Sequence, residues 1–453
     1  MTKKHDRIAL LHHTGGGNLG DDATLDVVIA NIRQRRPQVE IVIFSMNPLD
    51  TAERHGVPSE PIRRHIWGIG YGAGNAQPTA AGTHRLKRWI RNTRNPIIRG
   101  LRALLGEAVF LFASFQKLRR FGQLVISGGG QLTERSGPWG FPYAIFVWTL
   151  MAKIAGLRCV FLSVGAGPLK HPVSRFLVAR SLDAASYVSF RDAESQALAR
   201  EVGFRGESCV FPDSAYSLHW KPVASPEPGS RSVIGLAPMP FPFCDPREYA
   251  SGHQEIYAEY IRKFAEFAAS LAQEHCLQMF GSDVGADATA IEDLRRVLKE
   301  QHGVSVPPAG PSSTVDELLS RMSEMDYIVT CRFHGVVMAH ILNKPVLAIA
   351  HHPKITHLMQ AIGLGDFCVD IRTFDPSCLS DSFAALVRDR GIVRQRMARK
   401  LDEYRAEVAR QFDLLFVTTG DIAGPVQLDR HEAAMVTGRA ASSVSKWSAE
   451  KPV

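Results

Sequence analysis

Cysteine is scarce and unpaired in this sequence. The seven present (Cys159, Cys209, Cys244, Cys276, Cys331, Cys368 and Cys378) form no CxxC pair and are odd in number. That argues against a disulfide framework and a structural zinc site, and for a reduced compartment. No stretch reaches the roughly 18 to 20 apolar residues a membrane-spanning helix needs. The longest candidate, Ala103 to Phe115, is short and carries Glu107. The start, Met1 to Leu11, lacks an apolar region of signal-peptide length and runs directly into what reads as a first strand. A cytoplasmic chain is expected, at most peripheral on the inner face of a membrane. No internal repeat is visible. His351, His352 and His357 lie close in sequence but without an accompanying acidic or Cys ligand, so no metal is expected.

Acid is nearly missing from one segment. Between residues 85 and 120 the one carboxylate is Glu107, whereas Arg85, Lys87, Arg88, Arg91, Arg94, Arg99 and Arg102 precede the apolar run. Lys117, Arg119 and Arg120 follow it. This reads either as a solvated helical face or as a surface resting on an anionic membrane with Phe and Leu partly inserted. The formal net charge of +8 suits acidic partners, but nothing points to nucleic acid.

What is present is ordinary globular composition, 45% apolar and 22% charged, in 453 residues, which is too long for one core. Short β-branched runs at 7–12, 40–44, 124–127, 159–164 and 187–190 alternate with helical stretches, as in a parallel α/β sheet. Residues 45–120 read as irregular, with a mobile glycine loop at 68–74. A Pro/Ser-rich linker at 221–231 precedes a second α/β set with strands at 233–237, 277–280, 327–330 and 346–350. Thr314 and Glu317 form a capping box for a helix over 315–325. A long helix near 391–415 is placed to pack back across the domains. The expected layout is two Rossmann-like domains facing a cleft, called GT-B: residues 1–220 with a basic insertion at 58–120, then 232–415, and a flexible tail at 416–453.

Gly15, Gly17 and Gly20 satisfy GxGxxG between a strand and a helix. A dinucleotide site nevertheless fits poorly. The second strand ends in Phe44-Ser45-Met46-Asn47 with no acid for a ribose. Asp21 and Asp22 also stand where a pyrophosphate would need positive potential. These carboxylates suit sugar hydroxyls instead, or simply the helix dipole.

In the second half, Thr330-Cys331-Arg332-Phe333-His334-Gly335 leaves a strand and enters a helix, at the edge where open α/β sheets bind ligands. Arg332 offers a planar fork for a carboxylate or phosphate, and His334 a proton carrier. Lys354, beyond the next strand, is either a second cation on that cleft or a surface lysine. In the first half, Gly128-Gly129-Gly130-Gln131-Leu132, Ser163-Val164-Gly165-Ala166-Gly167-Pro168, Phe190-Arg191-Asp192 and Pro212-Asp213 occupy the matching edge.

Together with Gly17-Asn18-Leu19-Gly20-Asp21-Asp22-Ala23, these stretches resemble the polysaccharide pyruvyl transferase family in order and spacing, over about residues 7 to 370. The resemblance implies a GT-B-like enzyme that transfers pyruvate from phosphoenolpyruvate to two hydroxyls of a sugar as a cyclic ketal, in exopolysaccharide assembly. The acceptor would be a polysaccharide sugar or its lipid-linked oligosaccharide. On this reading His334 and Asp22 are catalytic. Arg332, Arg191, Lys354, Asn18, Asp21, Gly129, Gly130 and Gly165 bind substrate, and no cofactor is needed. The competing expectations are a GT-B glycosyltransferase using a nucleotide-sugar and a non-catalytic glycan-binding relative.

Overall fold

The short β-branched runs become strands buried on both faces. The structure, a computed structural model, describes residues 4–64, 96–134, 137–220, 231–241, 253–308, 310 and 312–417. Strands β1 (Arg7–Leu11), β2 (Glu40–Ser45), β3 (Ser59–Pro61), β4 (Gln123–Ser127), β5 (Arg158–Val164), β6 (Tyr187–Phe190) and β7 (Cys209–Val210) form one sheet in the order β3-β2-β1-β4-β5-β6-β7. Every pairing is parallel. The connecting helices are α1 (Leu19–Arg35), α2 (Pro48–His55), α3 (Pro96–Leu118), α4 (Phe141–Ile154), α5 (Pro172–Asp183) and α6 (Ala193–Glu201).

Strand side chains alternate between two apolar layers. Ile8 and Leu10 enter one layer and Ala9 and Leu11 the other; Ile41 and Ile43 divide from Val42 and Phe44 in the same way. The first layer lies under α1 and continues without a break into the core of the second half. The second layer holds residues of α4 and α5, with the Trp148 indole donating to the Ile62 carbonyl (2.9 Å).

The second sheet is β12-β11-β10-β8-β9, also all parallel. Its strands are β8 (Val233–Ala237), β9 (Cys276–Met279), β10 (Tyr327–Thr330), β11 (Val346–Ala350) and β12 (Cys368–Asp370). Around it lie α7 (His253–Leu271), α8 (Asp287–His302), α9 (Val315–Ser323), α10 (Phe333–Ile341), α11 (Pro353–Ala361), α12 (Pro376–Arg388) and α13 (Arg390–Phe416). The Thr314 half of the predicted α9 capping box forms, while Glu317 reaches one residue further back than the box requires. Thr314 Oγ1 accepts from the Glu317 amide (3.2 Å), and the Glu317 carboxylate reaches back to the Ser313 amide (2.7 Å).

Helix α13 ties the halves together. His340 of α10 lies 2.8 Å from the Met397 carbonyl, whereas Arg35 and Arg158 of the first half bond Asp413 (2.7 Å) and the Leu415 carbonyl (3.2 Å). Gln411, fully buried, bonds Ser163 (2.9 Å) and Ser189 (2.7 Å). Ser163 holds a left-handed φ of 47° where β5 shifts register, and its amide donates to Ser189 Oγ (2.8 Å).

The stretch 45–120 departs from the irregular reading. Helix α2, a strand at 59–61 on the sheet edge and the 23-residue helix α3 fall within it. The glycine loop at 68–74 and the basic residues from Arg85 to Arg94 lie outside the described residues, as do 221–230 of the linker and 418–453 of the tail.

Candidate functional site

The carboxyl edges of both sheets meet at the first glycine loop. Leu19 donates its amide to the Ser282 carbonyl (2.9 Å), and Val284 donates to the Gly17 carbonyl (2.8 Å). Asn18 caps α1, its side-chain oxygen accepting from the amides of Gly20 (3.0 Å) and Asp21 (3.4 Å). The amides a pyrophosphate would need here are therefore engaged by the protein. Asn18, expected on substrate, has its side-chain oxygen engaged in the cap while its backbone bridges to Asp283.

Contact between the halves is closest where α1 begins. A Cβ on Gly20 would overlap the ring of His334, so the glycine lets α1 lie against the imidazole. The two carboxylates that follow part company. Asp22 is buried with Arg54 and His55 of α2, 3.6 Å from each. Burial opposes charge on His55, but Asp22 and Asp26 (2.6 Å) overcome it and raise its pKa to about 9. Asp22 thus belongs to an ion-pair cluster joining α1 to α2. Asp21 lies beside Gly129, where a Cβ would come 3.0 Å from its Oδ1. Burial first, then the charge of Asp22, pushes the Asp21 carboxyl up to about 7, against the pull of Arg191 and Lys354.

Arg332 and Arg191 enter from opposite halves. Buried Asp287, at the start of α8, holds the Arg332 guanidinium through Nε (3.0 Å) and Nη2 and also accepts the amides of Ser282 and Asp283 (both 3.1 Å). Arg191 lies over Gly165, where a Cβ would stand 2.6 Å from its Nε, and 4.2 Å above the Phe333 ring. Lys354 approaches the same ring at 5.9 Å. Asp213 Oδ2 stands 3.4 Å from Arg191 and 3.9 Å from His334 Nε2. Burial lowers the His334 pKa to about 4; Asp213 opposes this, and Arg191, Lys354 and Arg332 add to it.

Arg191, Arg332, Lys354, Asp21 and His334 therefore share one cleft, with Gly129 and Gly165 shaped to it. Gly130 faces open space, with nothing within 4 Å of a Cβ built there. His351 and His352 bond locally, to the Cys331 carbonyl (2.9 Å) and the Lys354 amide (3.2 Å).

Sequence reasoning assigned no role to Asp287, Phe333, His12 or the Asp213 carboxylate. His12, just after β1, is fully buried with neither ring nitrogen hydrogen-bonded among the described residues, and burial holds it neutral, with help from His13, His55 and His334. Buried Ser127 Oγ, Gln131 Oε1 and His334 Nε2 likewise lack a hydrogen-bond partner among the described residues. Such a cluster of unsatisfied polar atoms suits a polar ligand or bound water.

The sequence profile described as polysaccharide pyruvyl transferase matches residues 18–353. No curated protein matches the chain. Among solved structures, a putative UDP-N-acetylglucosamine 2-epimerase from Listeria monocytogenes aligns with a TM-score of 0.56 at 10% identity, over 92% of this chain and 98% of its own. A glycosyltransferase from Rickettsia africae ESF-5 gives 0.51 at 11% identity, over 92% and 96%. MnaA of S. aureus, solved with UDP, gives 0.50 at 11% identity, over 100% and 99%. These likenesses show the two-domain, Rossmann-like GT-B fold.

Proposed function

Because the chain belongs to the polysaccharide pyruvyl transferase family, and is therefore a transferase, we propose that it moves the pyruvyl group of phosphoenolpyruvate onto two hydroxyls of a sugar. The acceptor is a polysaccharide unit of the cell surface, carried as a lipid-linked oligosaccharide at the inner face of the membrane. The observation that carries this reading is that Arg191 and Lys354 bear on both Asp21 and His334, with Arg332 bearing on His334 as well. Phosphoenolpyruvate sets a carboxylate and a phosphate on one carbon, which calls for several cations close together.

In the reaction C3 of the donor takes a proton, C2 becomes electrophilic, and one sugar hydroxyl adds to it. Phosphate then leaves and the second hydroxyl closes the ketal. Of the two hydroxyl protons, one replaces that delivered to C3 and the other leaves with phosphate, so the balance needs no cofactor. Asp21, raised to about 7, still holds a proton near neutrality and is the donor to C3. His334 is neutral before substrate arrives. The incoming anions raise its proton affinity, and it relays a hydroxyl proton to phosphate. The catalytic role expected of Asp22 passes to Asp21, since Asp22 is engaged with α2.

The test is release of inorganic phosphate from phosphoenolpyruvate when lipid-linked oligosaccharide is supplied. His334→Ala should still bind the donor while turnover falls by about 10²–10⁴-fold; near-normal turnover would remove the histidine from the mechanism. The UDP held by MnaA suggests a second reading, transfer from a nucleotide-sugar. Saturation-transfer NMR with UDP or GDP against phosphoenolpyruvate separates the two.

A further inference from the structure

Helix α3 carries an exposed apolar stripe in addition to the residues it packs on the core. Its polar residues turn inward: Ser114 is buried, Glu107 accepts from the Tyr143 hydroxyl (3.3 Å), and Gly106 lies against the Arg64 guanidinium. At its C-terminal end Leu118 is buried and Phe115 packs on the core, but a second set of apolar residues turns outward. Leu101, Leu104, Leu105, Val109 and Phe112 are 58–69% exposed, at a spacing that places them on one stripe.

The neighbouring helices extend this surface. Leu150 and Ile154 of α4 and Phe176 of α5 are exposed, and ten of the fifteen exposed large apolar side chains among the described residues fall between 101 and 176. Isolated exposed apolar residues need no explanation, but a contiguous field of this kind does. No described helix is long and apolar enough to cross a membrane.

The charge around the field identifies its occupant. Helices α3 and α4 carry one acid, Glu107, and it is turned to Tyr143. Arg119 and Arg120 after α3 and Lys153 on α4 are exposed. A second copy packed about a two-fold axis would bring like charges together. An anionic lipid leaflet meets the apolar stripe and the basic rim at once.

We propose that the α3–α5 layer is a docking surface for an anionic bilayer, with the α3 stripe lying at the boundary of headgroups and acyl chains. Exposed Trp139, just before α4 and 6.0 Å from the Tyr143 ring, suits the same interface. The proposal rests on the lipid-linked acceptor read above, which brings the donor site to a membrane-borne sugar.

The experiment is co-sedimentation of the full chain with vesicles of phosphatidylcholine alone and of equal parts phosphatidylcholine and phosphatidylglycerol. Partition to the anionic vesicles should exceed that to the neutral ones and weaken with salt. The double variant Leu104→Glu, Val109→Glu should lose it by about tenfold or more. Its circular dichroism and its phosphate release with a detergent-solubilised acceptor should stay unchanged. Absence of partition by the parent protein would overturn the proposal. So would a parent dimer in light scattering that the double variant dissolves without lipid. Vesicle binding without any phosphate release would instead overturn the pyruvyl transfer reading and leave the docking surface standing.

Discussion

Asp21 and Asp22 are neighbours in sequence with opposite settings. Asp22 gains Arg54 and the cationic His55, so its charge is compensated where it is buried. Asp21 sits in the cleft with its charge disfavoured, and its pKa of about 7 means that the native state binds this proton more tightly than the unfolded chain does. Between 3.8 and about 7 the unfolded chain has released a proton that the folded one keeps, so this group makes stability fall as pH rises through that window. Asp21→Asn removes the ionisable group. It should stabilise the protein near pH 8 by on the order of 1–2 kcal/mol, discounted for the solvent that reaches the side chain. It should flatten the decline between pH 4 and 7 and abolish phosphate release. Thermal melts across pH check the first outcome and the phosphate assay the second. Unchanged melts at pH 8 would mean that Asp21 is not held against its charge. His55 acts in the same direction over a higher window: its raised pKa contributes stability below 6.5 that fades as pH climbs through about 9.

At the level of elements, the strand-to-helix turns decide what each side chain can reach. Gly165→Ala would place a Cβ 2.6 Å from Arg191 Nε and push the guanidinium off its seat over Phe333. The expected result is a KM for phosphoenolpyruvate about tenfold higher with a smaller change in kcat, because donor grip is lost rather than proton transfer. Gly130→Ala meets open space and serves as the control, with both constants near those of the parent. Equal effects from the two would remove the role given to Gly165. These turns were legible because strands buried on both faces leave an unmistakable apolar run, and glycines and charged residues mark where each run ends. The Asp287–Arg332 clamp was not legible, since its partners stand 45 residues apart in sequence and meet only when β9 and β10 join the same sheet through β8. The segment holding α3 reads both as irregular and as a solvated or membrane-facing helical face, and its length is missed because much of its apolar stripe faces away from the core.

For the whole molecule, the two halves share a core layer, and α13 crosses from one to the other. Two-domain chains often unfold in separate steps. Here the buried polar cluster around Gln411 argues for a single one. Gln411 bonds Ser163 and Ser189 and donates to the Tyr187 hydroxyl (3.3 Å), which fixes the end of α13 beneath the register shift of β5. Gln411→Leu would take from the Ser163 hydroxyl its acceptor, at about 1–3 kcal/mol for the group left unsatisfied, whereas Ser189 keeps the Ser163 amide and the Phe161 carbonyl. Ser163 lies two residues before Gly165, so loosening the cluster also disturbs the seat of Arg191. Calorimetry of the parent should therefore give one transition, and in the variant that whole transition should move down by several degrees. Phosphoenolpyruvate should raise the midpoint of the parent more than that of the variant. Two resolved transitions in the parent, with Gln411→Leu shifting only one, would mean that the halves fold independently and that α13 packs on the first sheet without coupling it to the second.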